Sequence, residues 1–299
     1  MGKNVLITGG TGLVGRAVSK LLESKGYNIA VLSRKKNVKG VKSFHWDYTK
    51  GIIDKKAIEF ADVIIHLAGE NISNKNWSTQ QKEKIVESRV NTTELLFDAV
   101  RTSSKKVEAF ISASAVGYYG SITSPKIFKE NDLPGNDFLA QTVLQWENQV
   151  DMFNDISVRT VKLRFGVVLS KHGGALQKML TPIKLGLGSP LGSGRQYIPW
   201  IEISDLAEMI LFAVENENIS STYNAVSPEH ITNSELTKKI AKHLNKGYFM
   251  PNVPSFILKM LFGKMSDIIL KGSRVSSDKI QNEGFKFKYY KIDKLISTL

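Results

Sequence analysis

The chain has no cysteine among its 299 residues, which excludes both a disulfide framework and a thiolate metal site. Its five histidines form no ligand pattern of the His-Glu-x-x-His kind, so no metal is expected. No apolar run reaches the roughly 20 residues that a membrane-spanning helix needs, and the first residues read as a strand with no apolar leader before it. The expectation is a cytoplasmic protein without a membrane partner. Acidic residues are also scarce: 28 stand against 41 Lys and Arg, for a net charge of +13. The basic surplus is scattered and shows no recognition-helix, RNA-binding or zinc-finger signature. It reads as a lysine-rich solvated surface or, as the alternative, as a surface that attracts phosphorylated cofactor and substrate, with no nucleic acid partner expected.

What is present begins at Asn4. The apolar run Val5-Leu6-Ile7 leads into Thr8-Gly9-Gly10-Thr11-Gly12-Leu13-Val14-Gly15, and apolar residues then recur at Val14, Ala17, Val18, Leu21 and Leu22. That is a strand, a tight turn and an amphipathic helix. Gly9 suits the sharp turn, Gly12 a close approach of a pyrophosphate to the backbone, and Gly15 close packing of helix on strand. The phosphates would sit at the helix N-terminus formed by Thr11, Leu13 and Val14. A mononucleotide P-loop is the rival reading, because Gly10 and Gly15 have its spacing. Arg16 and Ala17 stand where its lysine and metal-binding hydroxyl belong, which argues against it.

The second strand, Tyr27 to Ser33, ends in Ser33-Arg34-Lys35, eighteen positions after Gly15 at Ser33 and with no acid there. A dinucleotide fold places its adenosine ribose at this point. An acid would accept hydrogen bonds from both ribose hydroxyls, whereas a serine and an arginine fork suit a 2′-phosphate. NADP(H) is therefore expected in preference to NAD(H), with Asp47 at the next strand end near the adenine.

Strand and helix signals then alternate. Asp62 to Leu67 is a continuous apolar run of the kind covered on both faces, followed at its carboxyl end by Ala68-Gly69-Glu70-Asn71. A helix from Thr79 to about Thr102, a strand at Ala109 to Ala113, a helix from about Asp137 to Phe153 and a strand from Ser157 to Leu163 complete an α/β, doubly wound parallel sheet. From Arg164 on, glycines and prolines punctuate the chain, as in loops that carry specificity. The division expected is a dinucleotide-binding domain at 1–165, substrate-lobe segments interleaved with that core at 166–250, and a small C-terminal domain at 251–299. Residues 254–299 hold nine basic residues and four acids, hence +5. Their apolar content, from Phe256 to Ile269, predicts a helical cap on the substrate lobe.

The motifs together resemble the extended short-chain dehydrogenase/reductase family, with its Rossmann sheet. His66 to Ile72, Ser88-Arg89-Val90, Ser112 to Gly120, Gly166 to Leu169, Leu185 to Gln196 and Trp200 to Leu206 are similar to an atypical epimerase-family subgroup related to nucleoside-diphosphate-sugar epimerases. Phe262 to Met265, Gly272 to Val275 and Gly284 to Phe287 resemble that subgroup's small, mostly helical C-terminal domain. One departure matters. The wider family uses Tyr-x-x-x-Lys on the helix after the serine strand, and Phe138 to Val143 supply neither residue. Tyr290 and Lys294 have that spacing, but far away in the tail.

The resemblance places Ser114 where the family's catalytic hydroxyl lies, with Tyr118 or Glu70 as its partner in acid-base chemistry. Leu67, Ala68 and Gly69 would line the cofactor, with Lys84 and Arg89 reaching its nicotinamide side in place of the missing lysine. Asn71, Tyr119, Arg164 and Arg195 would face the substrate, an arginine fork suiting a diphosphate. His66 reads as structural. The function implied is an NADP(H)-dependent epimerase or oxidoreductase acting on a sugar nucleotide or another small carbonyl or hydroxyl compound. The alternative is an NADP(H)-sensing binding protein with little catalysis. A homodimer is compatible with either.

Overall fold

A computed structural model describes residues 2–35 and 37–299. Along the chain the strands are β1 (Asn4–Thr8), β2 (Asn28–Ser33), β3 (Lys42–Asp47), β4 (Ile52–Ile53), β5 (Val63–His66), β6 (Ala109–Ala115) and β7 (Ile127–Phe128). There follow β8 (Arg159–Phe165), β9 (Val167–Ser170), β10 (Gly173–Gly174), β11 (Trp200–Glu202), β12 (Ser221–Ala225) and β13 (Arg274–Val275). The helices are α1 (Leu13–Ser24), α2 (Lys55–Phe60), α3 (Thr79–Arg101), α4 (Phe138–Asp155), α5 (Ala175–Lys184) and α6 (Ile203–Glu215). The last are α7 (Asn233–His243), α8 (Ser255–Phe262), α9 (Asp267–Leu270), α10 (Asp278–Asn282) and α11 (Ile292–Ile296).

Eight strands form the central sheet in the order β12-β8-β6-β5-β1-β2-β3-β4. Every neighbouring pair is parallel except the antiparallel β3 and β4. From β1 the chain winds outward through β2 and β3, then returns to β5 and winds the other way. The order therefore reverses between β1 and β5, and the crevice beyond their carboxyl ends is where such sheets bind ligands.

The strands are apolar on both faces because helices cover both. Val5, Ile7, Ile65, Ile111 and Leu163 face α1 and α6, and Leu6, Ile64 and Phe110 face α3 and α4. Val18 and Leu22 of α1 are fully buried on the first face, a contribution of about 1.5–3 kcal/mol each. The second face changes character along the strands. With a side-chain period of two, Leu6 gives way to Thr8, Ile64 to His66, Phe110 to Ser112 and Ser114, and Thr160 to Lys162 and Arg164. Register aligns these residues in rows: Thr8, His66, Ser112 and Lys162 in one, Ser114, Arg164 and Asn224 in the next. The apolar floor thus becomes a polar shelf at the crevice.

A smaller lobe adds the three-stranded sheet β10-β9-β11 with α5, α7 and α11 around Leu180, Trp200, Ile240 and Leu295. The chain after Pro254 is mostly helical and packs more widely than a cap on that lobe alone. Ile292 and Leu295 join the lobe core, Ile280 and Phe285 join the core between the sheet and α6, and β13 pairs with β7. The apolar residues of α8 do not all turn inward: Phe256 is 69% exposed and Met260 75%, while Leu258 is buried. The edge strand β12 is closed by side chains. Lys279 Nζ donates to the Thr222 carbonyl at 2.8 Å, and Glu130 accepts from the Asn224 amide at 2.9 Å.

Candidate functional site

The glycine turn is set by steric limits. Gly9 has φ of +67°, and a Cβ there would lie 2.8 Å from the Leu67 carbonyl on β5's extension. A Cβ on Gly15 would lie 2.3 Å from the Gly9 oxygen, so the first turn of α1 rests directly on the loop. Gly10, which sequence reasoning gave no role, packs against Val31 of β2, where a Cβ would approach to 2.5 Å. Gly12 donates to the Gly9 carbonyl at 2.9 Å and caps α1 in an extended conformation without a side chain. A Cβ on Gly12 would meet only that Gly9 oxygen, at 3.1 Å. The backbone there is approachable, and the amides at the start of α1 favour an anion.

Along the carboxyl edge, Ser33 ends β2 and its Oγ accepts from the Lys35 amide at 3.0 Å. Arg34 is exposed, and its charge is felt at Tyr48, just after β3. Asp47 accepts from the Thr49 hydroxyl at 2.7 Å and the Thr49 amide at 3.1 Å. Those hydrogen bonds, the hydroxyl's first, hold its carboxyl below the usual range.

Between β1 and β5 the polar shelf has one consistent hydrogen-bond solution. The Thr8 hydroxyl accepts from the Leu67 and Ala68 amides, each at 3.1 Å, so its single hydrogen goes to His66 Nδ1 at 2.8 Å. His66 then carries its proton on Nε2, which faces the Thr93 and Thr92 hydroxyls at 3.2 and 3.3 Å. Burial, reinforced by the Arg89 charge, pushes the imidazole down to about 3. His66 is a neutral strut that orients the Thr8 hydroxyl, which in turn holds the chain at Leu67 and Ala68.

Arg89 turns inward beneath Gly69. Its Nη1 donates to the Ile85 carbonyl at 2.9 Å and its Nη2 to the Glu70 carbonyl at 3.1 Å, while Ser88 Oγ accepts from the Glu70 amide at 2.8 Å. A Cβ on Gly69 would lie 3.2 Å from the Arg89 Cζ. Burial lowers the guanidinium to about 10, against the pull of the Glu70 charge. Glu70 is half-buried, and Gln81 approaches its Oε1 at 3.4 Å. Lys84, on the same helix as Arg89, is exposed. Asn71 is exposed and closes its own turn by accepting from the Ser73 amide at 2.8 Å. Arg195 is exposed on the loop before β11.

The second cluster gathers Ser114, Tyr118, Tyr119 and Arg164. Ser114 and Arg164 are register partners on β6 and β8, and Glu147 of α4 closes on both. Glu147 Oε1 accepts from Ser114 Oγ at 2.5 Å and from Arg164 Nε at 2.8 Å, and Oε2 accepts from Arg164 Nη2 at 2.8 Å. Arg164 Nη1 donates to the Tyr119 hydroxyl at 2.9 Å, which donates to Asn224 Oδ1 at 2.7 Å. Arg164 also lies 3.5 Å over the Tyr118 ring centre. Burial alone would lower the Arg164 guanidinium, but Glu147 and Tyr119 raise it above the ordinary arginine range. Burial pushes the Tyr119 phenol up to about 12.

Two expectations are corrected here. Arg164 does not offer its fork at a substrate mouth, because Glu147 takes Nε and Nη2 while Tyr119 and the Glu130 carbonyl take Nη1. Tyr119 is buried, with its hydroxyl held between Arg164 and Asn224. Glu147 and Asn224 escaped the sequence reading. A signal for Glu147 exists: Lys162 and Arg164 two apart in a buried strand require acids, and Glu147 and Asp151 four apart on a helix supply them. Lys162 Nζ does meet both Asp151 oxygens at 2.6 Å. Tyr290 is 53% exposed in the tail and belongs to neither cluster. Two open surface clefts, of about 490 and 460 Å³, lie elsewhere, one against β12 and α10 and one along α6. Neither includes the glycine turn or Ser114. The described residues hold no group of acids and histidines arranged for a metal and no helix long and apolar enough to cross a membrane.

The doubly wound sheet, the glycine turn at its switch point and the serine shelf beside it define a protein of the short-chain dehydrogenase/reductase type. The chain belongs to the NAD dependent epimerase/dehydratase family, whose model matches residues 5–225; residues 253–299 match a domain of unknown function, DUF1731. It is similar to the mouse epimerase family protein SDR39U1, at 35% identity over 95% of each chain. The crystal structure of human SDR39U1 with NADPH superposes with a TM-score of 0.88 at 31% identity, covering 99% of this chain and 98% of that one. The nucleoside-diphosphate sugar epimerase of Corynebacterium glutamicum gives a TM-score of 0.81 at 31% identity, covering 99% of this chain and 58% of that one.

Proposed function

We propose that the chain binds NADP(H) across the carboxyl edge of its sheet and acts as an epimerase or oxidoreductase on a small hydroxyl or carbonyl compound, a sugar nucleotide being the leading candidate. The observation that carries this reading is the end of β2: Ser33 and the exposed Arg34 stand beside the glycine turn where an NAD-selective fold needs an acid. The human relative crystallised with NADPH supports it.

The residues fit the group. The backbone from Gly9 to Gly15 would receive the diphosphate, Ser33 and Arg34 the 2′-phosphate, and Asp47 would lie near the adenine. Leu67, Ala68 and Gly69, fixed by the Thr8–His66 strut, would line the nicotinamide half with Arg89 below. NADP(H) would supply the hydride acceptor or donor. Ser114 would orient the substrate, and Tyr118 or Glu70 is the candidate for moving its proton. Tyr119 is unsuited to that work because burial holds its phenol near 12. Asn71 and Arg195, both exposed, remain candidates for the substrate's phosphates.

Titration of the purified protein with NADPH and NADH, followed by assays of NADPH oxidation with a panel of nucleotide-linked keto sugars and of NADP⁺ reduction with the corresponding hydroxy sugars, tests the proposal. Tighter binding of NADPH with turnover supports it, and equal affinity for the two cofactors refutes the cofactor assignment. One observation favours the alternative of a sensing protein: the shelf spends Ser114 and Tyr119 on internal hydrogen bonds. Tight NADPH binding with no turnover in either direction would select it.

A further inference from the structure

Serine has one hydrogen, and the structure shows where that of Ser114 goes. Ser114 Oγ lies 2.5 Å from Glu147 Oε1, and the Glu147 carboxylate can only accept, since it is paired with Arg164 through both oxygens. Ser114, Glu147 and Arg164 are 3%, 4% and 3% exposed, so water does not compete for these bonds. The arrangement is built from three elements. β6 and β8 bring Ser114 and Arg164 side by side, and α4 sets Glu147 over them, anchored one turn later by Asp151 on Lys162. What Ser114 has left for a ligand is lone pairs.

We propose that Glu147 is a positioning residue that makes Ser114 a hydrogen-bond acceptor only, so that the site takes its substrate with a hydroxyl, not a carbonyl oxygen, against Ser114. A bound alcohol donates to Ser114 Oγ; a ketone oxygen there would face lone pairs and find no donor on this residue. The proposal rests on the reading of the crevice as a dinucleotide site, and it identifies the substrate class for that site as an alcohol bound beside the oxidised cofactor. Arg164 is already committed elsewhere: four of its five N–H groups donate to Glu147, Tyr119 and the Glu130 carbonyl, and the residue is only 3% exposed.

Neutron diffraction from crystals of the full chain grown in heavy water reads the first half directly, whether or not NADP binds. The expected result is a deuteron on Ser114 Oγ along the line to Glu147; a deuteron pointing into the crevice overturns the proposal. The second half uses 2-propanol and acetone as probes, soaked at equal concentration into crystals with NADP⁺ bound. In the natural protein the alcohol oxygen is expected within hydrogen-bond reach of Ser114, with acetone excluded. In Glu147→Gln, whose amide can donate to Ser114 and release its hydrogen toward the crevice, the alcohol-to-ketone occupancy ratio is expected to fall about tenfold, the worth of one hydrogen bond. Acetone on Ser114 in the natural protein, or neither probe there, overturns the proposal. If Glu147→Gln does not fold, the neutron result and the natural protein's ratio still decide it. Failure of NADP⁺ to bind at all is a separate result that sinks the functional reading and leaves the deuteron position to be judged alone.

Discussion

The Thr8 hydroxyl donates to His66 Nδ1 across 2.8 Å, which fixes the tautomer of the imidazole, while the same oxygen accepts from the Leu67 and Ala68 amides and holds the chain that leaves β5. A buried histidine held neutral has a cost in acid. Its ordinary value is 6.5 and the folded protein holds it near 3, so the unfolded chain binds the extra proton over that window.

Stability should therefore be fully present above pH 6.5 and be lost as pH falls toward 3, with His66 contributing about 1.4 kcal/mol per pH unit across the window. Urea unfolding at pH 7 and pH 4.5 measures the loss. His66→Asn, which does not titrate, should lower stability at pH 7 and flatten the acid slope. An unchanged slope in that variant would show that other groups control acid unfolding.

Arg34→Ala should weaken NADPH binding by about 1.5–3 kcal/mol, the worth of a charged hydrogen bond or two, and leave NADH nearly unaffected. Fluorescence titration with both cofactors separates the two effects. A comparable loss for NADH would place Arg34 away from the 2′-phosphate.

Glu147→Ala leaves the Arg164 guanidinium buried without its counter-charge and should destabilise the fold by about 3–5 kcal/mol. The double variant Glu147→Leu with Arg164→Met, which removes both charges, should be closer to the natural protein than either single change. Denaturation midpoints of Glu147→Leu, Arg164→Met and the double variant test this; an additive double would mean that the pair is not coupled.

Truncation after Val253 removes Ile280, Phe285, Ile292 and Leu295 from two different cores and should leave a protein that does not fold cooperatively. Leu295→Ala is the milder probe. At 1% exposure it should cost about 2–4 kcal/mol by calorimetry or urea unfolding. Loss of under 0.5 kcal/mol would mean that the C-terminal segment is only loosely attached.

The sequence by itself determined the features that depend on consecutive residues. Gly9, Gly12 and Gly15 can be read because a turn limits φ and Cβ space within a few residues, and Ser33-Arg34 can be read because a strand end lies a fixed distance from that turn. The alternation of strand and helix patterns sufficed for the doubly wound sheet. Tertiary structure alone decided which polar side chains meet. Glu147 reaches Ser114 and Arg164 from 33 and 17 positions away. That meeting depends on the parallel register of β6 with β8 and on how α4 lies across them, and neither is encoded in any short stretch. For the same reason Arg164, which in one dimension is a free fork at the head of a glycine-rich segment, proves to be spent. A buried guanidinium must be paired where the fold puts it, and the nearest carboxylate in space sits on another element.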